Sequence, residues 1–418
     1  MPTTVFNYKD GKLTTNDIQL EELVKQYSTP LYVYNNDHII DNYNQFMKAF
    51  DNKCTVHYAM KANSNQAILK SLAVVGCGMD IVSGGELKRA LSVGVDAKKI
   101  IFSGVAKTDD ELSDALNVGI LQINIESEAE IYQLNNVAKK LGKVAPVALR
   151  INPNVDAGTH DKISTGKKTD KFGIDIDLAI SLYDKMITMK NIDPQGISIH
   201  IGSQLMSAEP FVASYKKVAE LAEKLIKNNI NLKRLDLGGG LGICYKTSDS
   251  APDVNEYAKM VFDTVGHLNL DLHFEPGRWL VGNAGALIGK VENIKSNDLK
   301  TFILCDVGMN DLVRPTLYNS YHHILPLNEI NEYINADLVG PVCESGDYLC
   351  KNRKIAKMSK GDYFAVLSAG AYGMTMANNY NSRVNPAEVL VVGNKSYLIR
   401  KRQNIDEIIS RDIIPPVI

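Results

Sequence analysis

Over the first two thirds of the chain, short apolar runs alternate with stretches of helical period, each change marked by a glycine or proline. Strands are predicted at TVHYAMKA, GMDIVS, KIIFSG, LQINIES, PVALRINP, GISIHIG, RLDLGGG and DLHFEPG. Between them lie segments such as EPFVASYKKVAELAEKLIKNN. There Phe211, Tyr215, Val218, Ala222 and Leu225 recur at spacings of three and four and share one buried face. The strands are continuous apolar runs, the pattern of parallel strands covered on both faces. Eight such units predict a (β/α)8 TIM-like barrel, with an open doubly wound sheet as the alternative.

After about Gly282 the texture changes. TFILCDVG, ADLVGPVC, DYFAVLSAG and EVLVVGNKSYLIRKR are strand-like, separated by turn residues and short of long helices. The opening VFNYKDGKLTTN predicts a hairpin turning at Asp10-Gly11. The fold class expected is therefore α/β. A barrel spans residues 36–282, and a mostly-β domain of residues 283–418 also takes in the N-terminal segment 1–35.

Composition narrows the class. Hydrophobic residues make up 45% and charged residues 22%, values ordinary for a globular protein. A formal net charge of -2 gives no electrostatic reason to expect nucleic acid or an anionic membrane as partner. No run approaches the ~18 apolar residues of a membrane span, and the first residues lack the apolar core of a signal peptide. Six cysteines show neither CxxC pairs nor zinc spacing, so no metal is expected and the expected location is the cytoplasm.

In such a barrel, working residues sit at the C-terminal ends of the strands, and phosphate binds near the loops after the seventh and eighth. Lys61 ends the first strand, where a turn residue is expected; alone it reads as a solvated surface lysine. His200 ends the sixth and, taken singly, is more often a core histidine. DLGGGLG follows the seventh strand. Its Gly238, Gly239 and Gly240 let backbone N–H groups approach an anion, although a glycine triplet is also a common flexible turn. It is no dinucleotide fingerprint, because Ile243 stands where the last glycine belongs. FEPGR follows the eighth strand. Glu275 suits a protonated ring nitrogen, Gly277 a further phosphate N–H, and Arg278 a bidentate carboxylate clamp; a surface Glu275–Arg278 ion pair is the plainer alternative. An amine, a phosphate cradle, an acid for a ring nitrogen and a flat imidazole together describe one cofactor, pyridoxal 5′-phosphate, attached covalently through Lys61.

With these residues in view, the chain resembles the diaminopimelate decarboxylases, of the alanine-racemase-like (fold type III) pyridoxal-phosphate class. The resemblance rests on YAMKAN, GMDIVSGGEL, RINPNVDAGTH, KISTG, KFGI, HIGSQ, DLGGGLG, EPGR, NDLVRPTLY, GPVCESGD and SAGAYGMTMANNYNSR, in order along nearly the whole chain. It implies decarboxylation of meso-2,6-diaminopimelate to L-lysine and carbon dioxide, the last step of lysine biosynthesis. It also assigns roles. Lys61 is the attachment lysine, His200 stacks on the ring, Ser203 lies by the phosphate, and Glu275 faces the pyridinium. Cys343, otherwise a buried thiol like Cys305, becomes the proton donor. Glu344 meets the distal ammonium, Arg278, Arg314 and Tyr318 bind substrate, and Tyr372 touches both cofactor and substrate. A homodimer is implied, with Cys343 and Glu344 acting across its interface. Two arginines beside one acid suit a zwitterionic distal end better than the lone cation of ornithine, the alternative substrate. The segment Asn154 to Gly173, rich in Asp, Gly, Thr and Lys, is expected to be a mobile loop over the site.

Overall fold

In the computed structural model, residues 5–156, 166 and 171–417 are described. The chain divides into two compact units. One holds Ile40–Ile243 and Ser250–Leu280; the other holds Met1–Ile39, Cys244–Asp249 and Val281–Ile418.

The first unit is a closed parallel barrel. Its strands are β1 (Cys54–Ala59), β2 (Gly78–Ile81), β3 (Ile100–Phe102), β4 (Gln122–Ile125), β5 (Ala145–Asn152), β6 (Ile192–Ile199), β7 (Arg234–Asp236) and β8 (Asp271–Phe274). Closure comes from β8 pairing with β1 and β4 with β5. An open sheet is excluded. The helix Glu209–Lys227 starts with Pro210 in its first turn and buries Phe211, Tyr215, Val218, Ala222 and Leu225, the face predicted from the spacing. Burial of each large apolar side chain there contributes about 2 kcal/mol.

The strands are less uniformly apolar than their sequences suggest. His57, Asp80, Gln122, Asn124, Arg234, Asp236 and His273 are all buried. Several join strands that are not sheet neighbours: Arg234 Nη1 lies 3.4 Å from Gln122 Oε1, and Asn124 Nδ2 lies 3.4 Å from Asp236 Oδ2. The barrel interior is a hydrogen-bonded polar layer, as burial of so many polar groups requires.

The second unit is built on a sheet whose strand order is Tyr348–Ala356, Tyr333–Val339, Thr301–Cys305, Gly285–Ser296, Leu31–Asn35, Ala387–Val392, Lys395–Arg400. Leu31–Asn35 lies within the predicted N-terminal segment and is central in the sheet, antiparallel to Gly285–Ser296 and parallel to Ala387–Val392. The N-terminal hairpin is present, with Asn7–Lys9 paired to Lys12–Thr15 and left-handed Asp10 and Gly11 at its turn. Leu13, Leu31, Val33, Ala286, Ile288, Ala365 and Val389 share one hydrophobic core, so the N-terminal residues are part of this unit's packing.

Candidate active site

The β1 strand runs into a single 3-10 turn, Met60–Ala62, whose flanking Met60 and Ala62 are buried. That turn leaves Lys61 half-exposed at the strand's C-terminal end, its Nζ 2.9 Å from Oδ2 of the buried Asp80 at the end of β2. The lysine is thus held at the barrel mouth by an acid on the neighbouring strand.

At the ends of β6, β7 and β8 the backbones pack too closely for side chains. A Cβ on Gly238 would stand 2.2 Å from the Ile199 carbonyl, one on Gly239 2.3 Å from the Glu275 carbonyl, and one on Gly240 2.4 Å from that of Gly202. Gly238 and Gly240 also have φ of +65° and +109°, the left-handed region that favours glycine. The triplet is therefore a rigid joint between strand ends. The Gly238 N–H donates to Asp236 Oδ1 (3.0 Å) and the Gly239 N–H to His200 Nδ1 (3.2 Å). Receiving that bond leaves His200 Nδ1 unprotonated. Burial, then the charges of Arg150 and Lys61, hold its imidazole far below the usual histidine range, so the ring is neutral.

Glu275 emerges from β8 with its N–H bonded to the Gly238 carbonyl at 2.7 Å. Its carboxyl is buried beside Asp236 and within 3.4 Å of Asn124 Nδ2. Burial, then the charges of Asp236 and Asp80, push it well above the carboxylate range. Burial also raises Asp236, to about 6. Two residues on, a Cβ at Gly277 would meet Ala59 and Ala62 at 3.1 Å, and buried Arg278 opens the short helix Arg278–Val281. Ser203 follows Gly202 in the loop after β6 and is partly buried. An amine at the rim, a buried acid, a neutral imidazole and backbone bared of Cβ atoms fit pyridoxal 5′-phosphate, a group with an aldehyde, a basic ring nitrogen and a phosphate.

Asp80, Asn124 and Asp236 went unremarked in the sequence. The available signal was a polar residue inside an otherwise apolar strand.

The β-rich unit gathers the other candidates. Arg314 and Tyr318 begin and end one short helix, Arg314–Tyr318. From its middle, Thr316 Oγ1 donates to the Gly346 carbonyl at 2.5 Å, tying that helix to the loop bearing Cys343 and Glu344. Asp347 stakes the same loop, accepting from Val342 N–H and Met309 N–H, both at 2.6 Å. The Cys343 N–H donates to Asn381 Oδ1 (2.9 Å), and Tyr380 hydrogen-bonds Glu344. Cys343 is exposed, whereas Cys305 is buried with its thiol pushed far up by desolvation. Tyr372 has φ of +57°, costly for a bulky side chain and common where function fixes the backbone. The segment Asn154 to Gly173 lies outside the described residues except for 154–156, 166 and 171–173. Among the described residues no cluster suits a metal ion, and no helix is long and apolar enough to cross a membrane.

Residues 36–282 match the family described as pyridoxal-dependent decarboxylase, pyridoxal binding domain. The diaminopimelate decarboxylase of Zymomonas mobilis is 47% identical over 408 residues, 96% of this chain and 97% of that one. That of Vibrio cholerae is 45% identical over 415 residues, 98% and 99% of the two chains. Among solved structures, diaminopimelate decarboxylase from Helicobacter pylori complexed with L-lysine is 38% identical, with TM-score 0.91 over 94% of this chain and 99% of that chain. The enzyme from M. jannaschii in co-complex with L-lysine is 39% identical, with TM-score 0.95 over 99% and 98%. By sequence and by fold, over nearly its full length, the chain belongs to the diaminopimelate decarboxylase family of pyridoxal-dependent decarboxylases.

Proposed function

We propose that the chain decarboxylates meso-2,6-diaminopimelate to L-lysine and carbon dioxide, using pyridoxal 5′-phosphate held covalently by Lys61. The observation that carries this reading is the buried Glu275 in a barrel mouth that also presents a lysine. When bound, the cofactor supplies an electron sink for the bonding pair released as the carboxylate leaves. Glu275 would face the ring nitrogen and hold a proton there, and His200 would pack flat against the ring. Gly239, Gly240, Gly277 and Ser203 would hold the phosphate, Ser203 with its hydroxyl and the glycines by leaving the space free of Cβ atoms. Cys343 delivers a proton to the reacting carbon. Tyr372 touches cofactor and substrate together.

Charge selects the substrate. Arg278 and Arg314, with Tyr318, hold the distal carboxylate, and Glu344 holds the distal ammonium. A substrate ending in a lone ammonium would leave positive charge unpaired in a desolvated pocket. The active form is a homodimer in which Cys343 and Glu344 of one subunit complete the site of the other, and the enzyme works in the cytoplasm. Carbon dioxide release from a panel of diaminopimelate, ornithine, arginine and lysine tests the choice. Turnover of meso-diaminopimelate is expected; turnover of ornithine with diaminopimelate inert would overturn it.

A further inference from the structure

Arg314 has an unusual hydrogen-bond partner. Its Nη1 lies 2.9 Å from Nε2 of His322, and both residues are buried. The other ring nitrogen, Nδ1, lies 2.9 Å from the Leu367 carbonyl. A carbonyl only accepts and a guanidinium only donates, so one tautomer satisfies both contacts: Nδ1 carries the proton and Nε2 presents its lone pair to the arginine. That tautomer is the neutral imidazole, with a donor on one side and an acceptor on the other. The Tyr245 ring lies under the guanidinium, 5.0 Å from its centre, and meets the His322 ring edge-on at 5.4 Å. The His322 backbone is anchored as well, its carbonyl accepting from Arg353 Nη1 at 2.8 Å.

We propose that His322 is the positioning residue that aims Arg314 at the distal carboxylate of the substrate, with Tyr245 as the second wall of the same clamp. The proposal rests on the reading of Arg314 as a substrate-binding residue. A carboxylate in the place of His322 would orient the arginine equally well, yet would offset its charge and weaken its pull on a second carboxylate. A neutral acceptor fixes direction and leaves the charge of its partner intact. The tautomer lock from Leu367 keeps that acceptor in register, much as a ligating histidine is oriented through its other nitrogen.

The test uses the cofactor-loaded enzyme with four variants, His322→Leu, His322→Gln, Tyr245→Leu and Arg314→Met. Loss of a hydrogen bond to a charged group predicts that His322→Leu raises KM for meso-diaminopimelate about 10- to 100-fold, while kcat and the cofactor absorbance change little. His322→Gln, whose amide oxygen also accepts, should recover most of that loss, and Tyr245→Leu should show a smaller rise. Inhibition supplies a readout that a general structural defect would not move. L-lysine retains the carboxylate that Arg314 would hold, whereas cadaverine lacks it. Inhibition by L-lysine should weaken in His322→Leu and inhibition by cadaverine should not. Equal weakening of both overturns the proposal. So does an unchanged KM in His322→Leu when Arg314→Met raises it. An unchanged KM in Arg314→Met removes the substrate-binding reading of Arg314 itself, and the positioning role falls with it. Should His322→Leu fail to fold, His322→Ala, which also lacks an acceptor, is read by the same criteria.

Discussion

The barrel and the β-rich unit hold their chemistry by different means. In the barrel, Lys61, His200, the glycine triplet and Glu275 each follow a strand, and hydrogen-bonded backbone sets their positions directly. In the β-rich unit, Cys343, Glu344 and Tyr372 sit on irregular segments. The segment of Cys343 and Glu344 is staked by single side chains: Asp347 onto two backbone N–H groups, Asn381 onto Cys343, and Thr316 onto Gly346. Strand ends offer geometry that is cheap to maintain. Loops offer freedom of placement, at the cost of side chains committed to holding them.

Substitutions at each place sharpen the contrast. Lys61→Ala should have the largest effect, a fall in turnover of roughly 1,000-fold or more with the fold intact, measured by carbon dioxide release and circular dichroism. Borohydride treatment of the loaded wild type should leave a pyridoxyl tag on Lys61; retention of the wild-type rate by the variant would break the barrel half of the comparison. Cys343→Ala should lower kcat by about 100-fold, the usual contribution of a positioned proton donor, with a smaller change in KM. A variant that changed only KM would take the donor role away from this loop.

The smallest effect on rate is expected inside the barrel, at strand positions away from Lys61. His57 and His273 stack there with Nε2 of His57 2.8 Å from Nδ1 of His273, and His57 Nδ1 bonds the Lys99 carbonyl. Burial lowers the His57 pKa to about 4 from its ordinary 6.5. Unfolded chain therefore takes up a proton below pH 6.5 that the folded chain refuses until near pH 4, and stability is lost as pH falls through that window. His57→Leu should leave turnover near wild type at neutral pH and be less stable there. Its stability deficit in urea titrations should narrow by about 2 kcal/mol between pH 7.5 and pH 5. A deficit independent of pH would show that the pair does not carry this cost.

The same division governs what the sequence revealed. Strand and helix alternation exposes the barrel, and the strand-end rule then singles out Lys61, His200 and Glu275 as candidates among its many polar residues. Asp80, Asn124 and Asp236 stay hidden because an isolated polar residue in an apolar run gains meaning only when the barrel closes and brings distant strands together. Leu31–Asn35 is hidden for a related reason: its pairing partners are more than 200 residues away in sequence. In the β-rich unit, Cys343 was recognisable through the resemblance alone. Nothing in six scattered cysteines tells the exposed thiol from the buried ones, since loop geometry decides that.

The missing methyl at Gly239 has a consequence for how this protein can change. The space a larger residue would need is already taken by the main chain of Glu275. The turn after β7 and the placement of the Glu275 carboxyl are thus mechanically one part. Evolution or an engineer retuning either property at this joint moves the other with it, and independent adjustment has to come from residues farther along the loops.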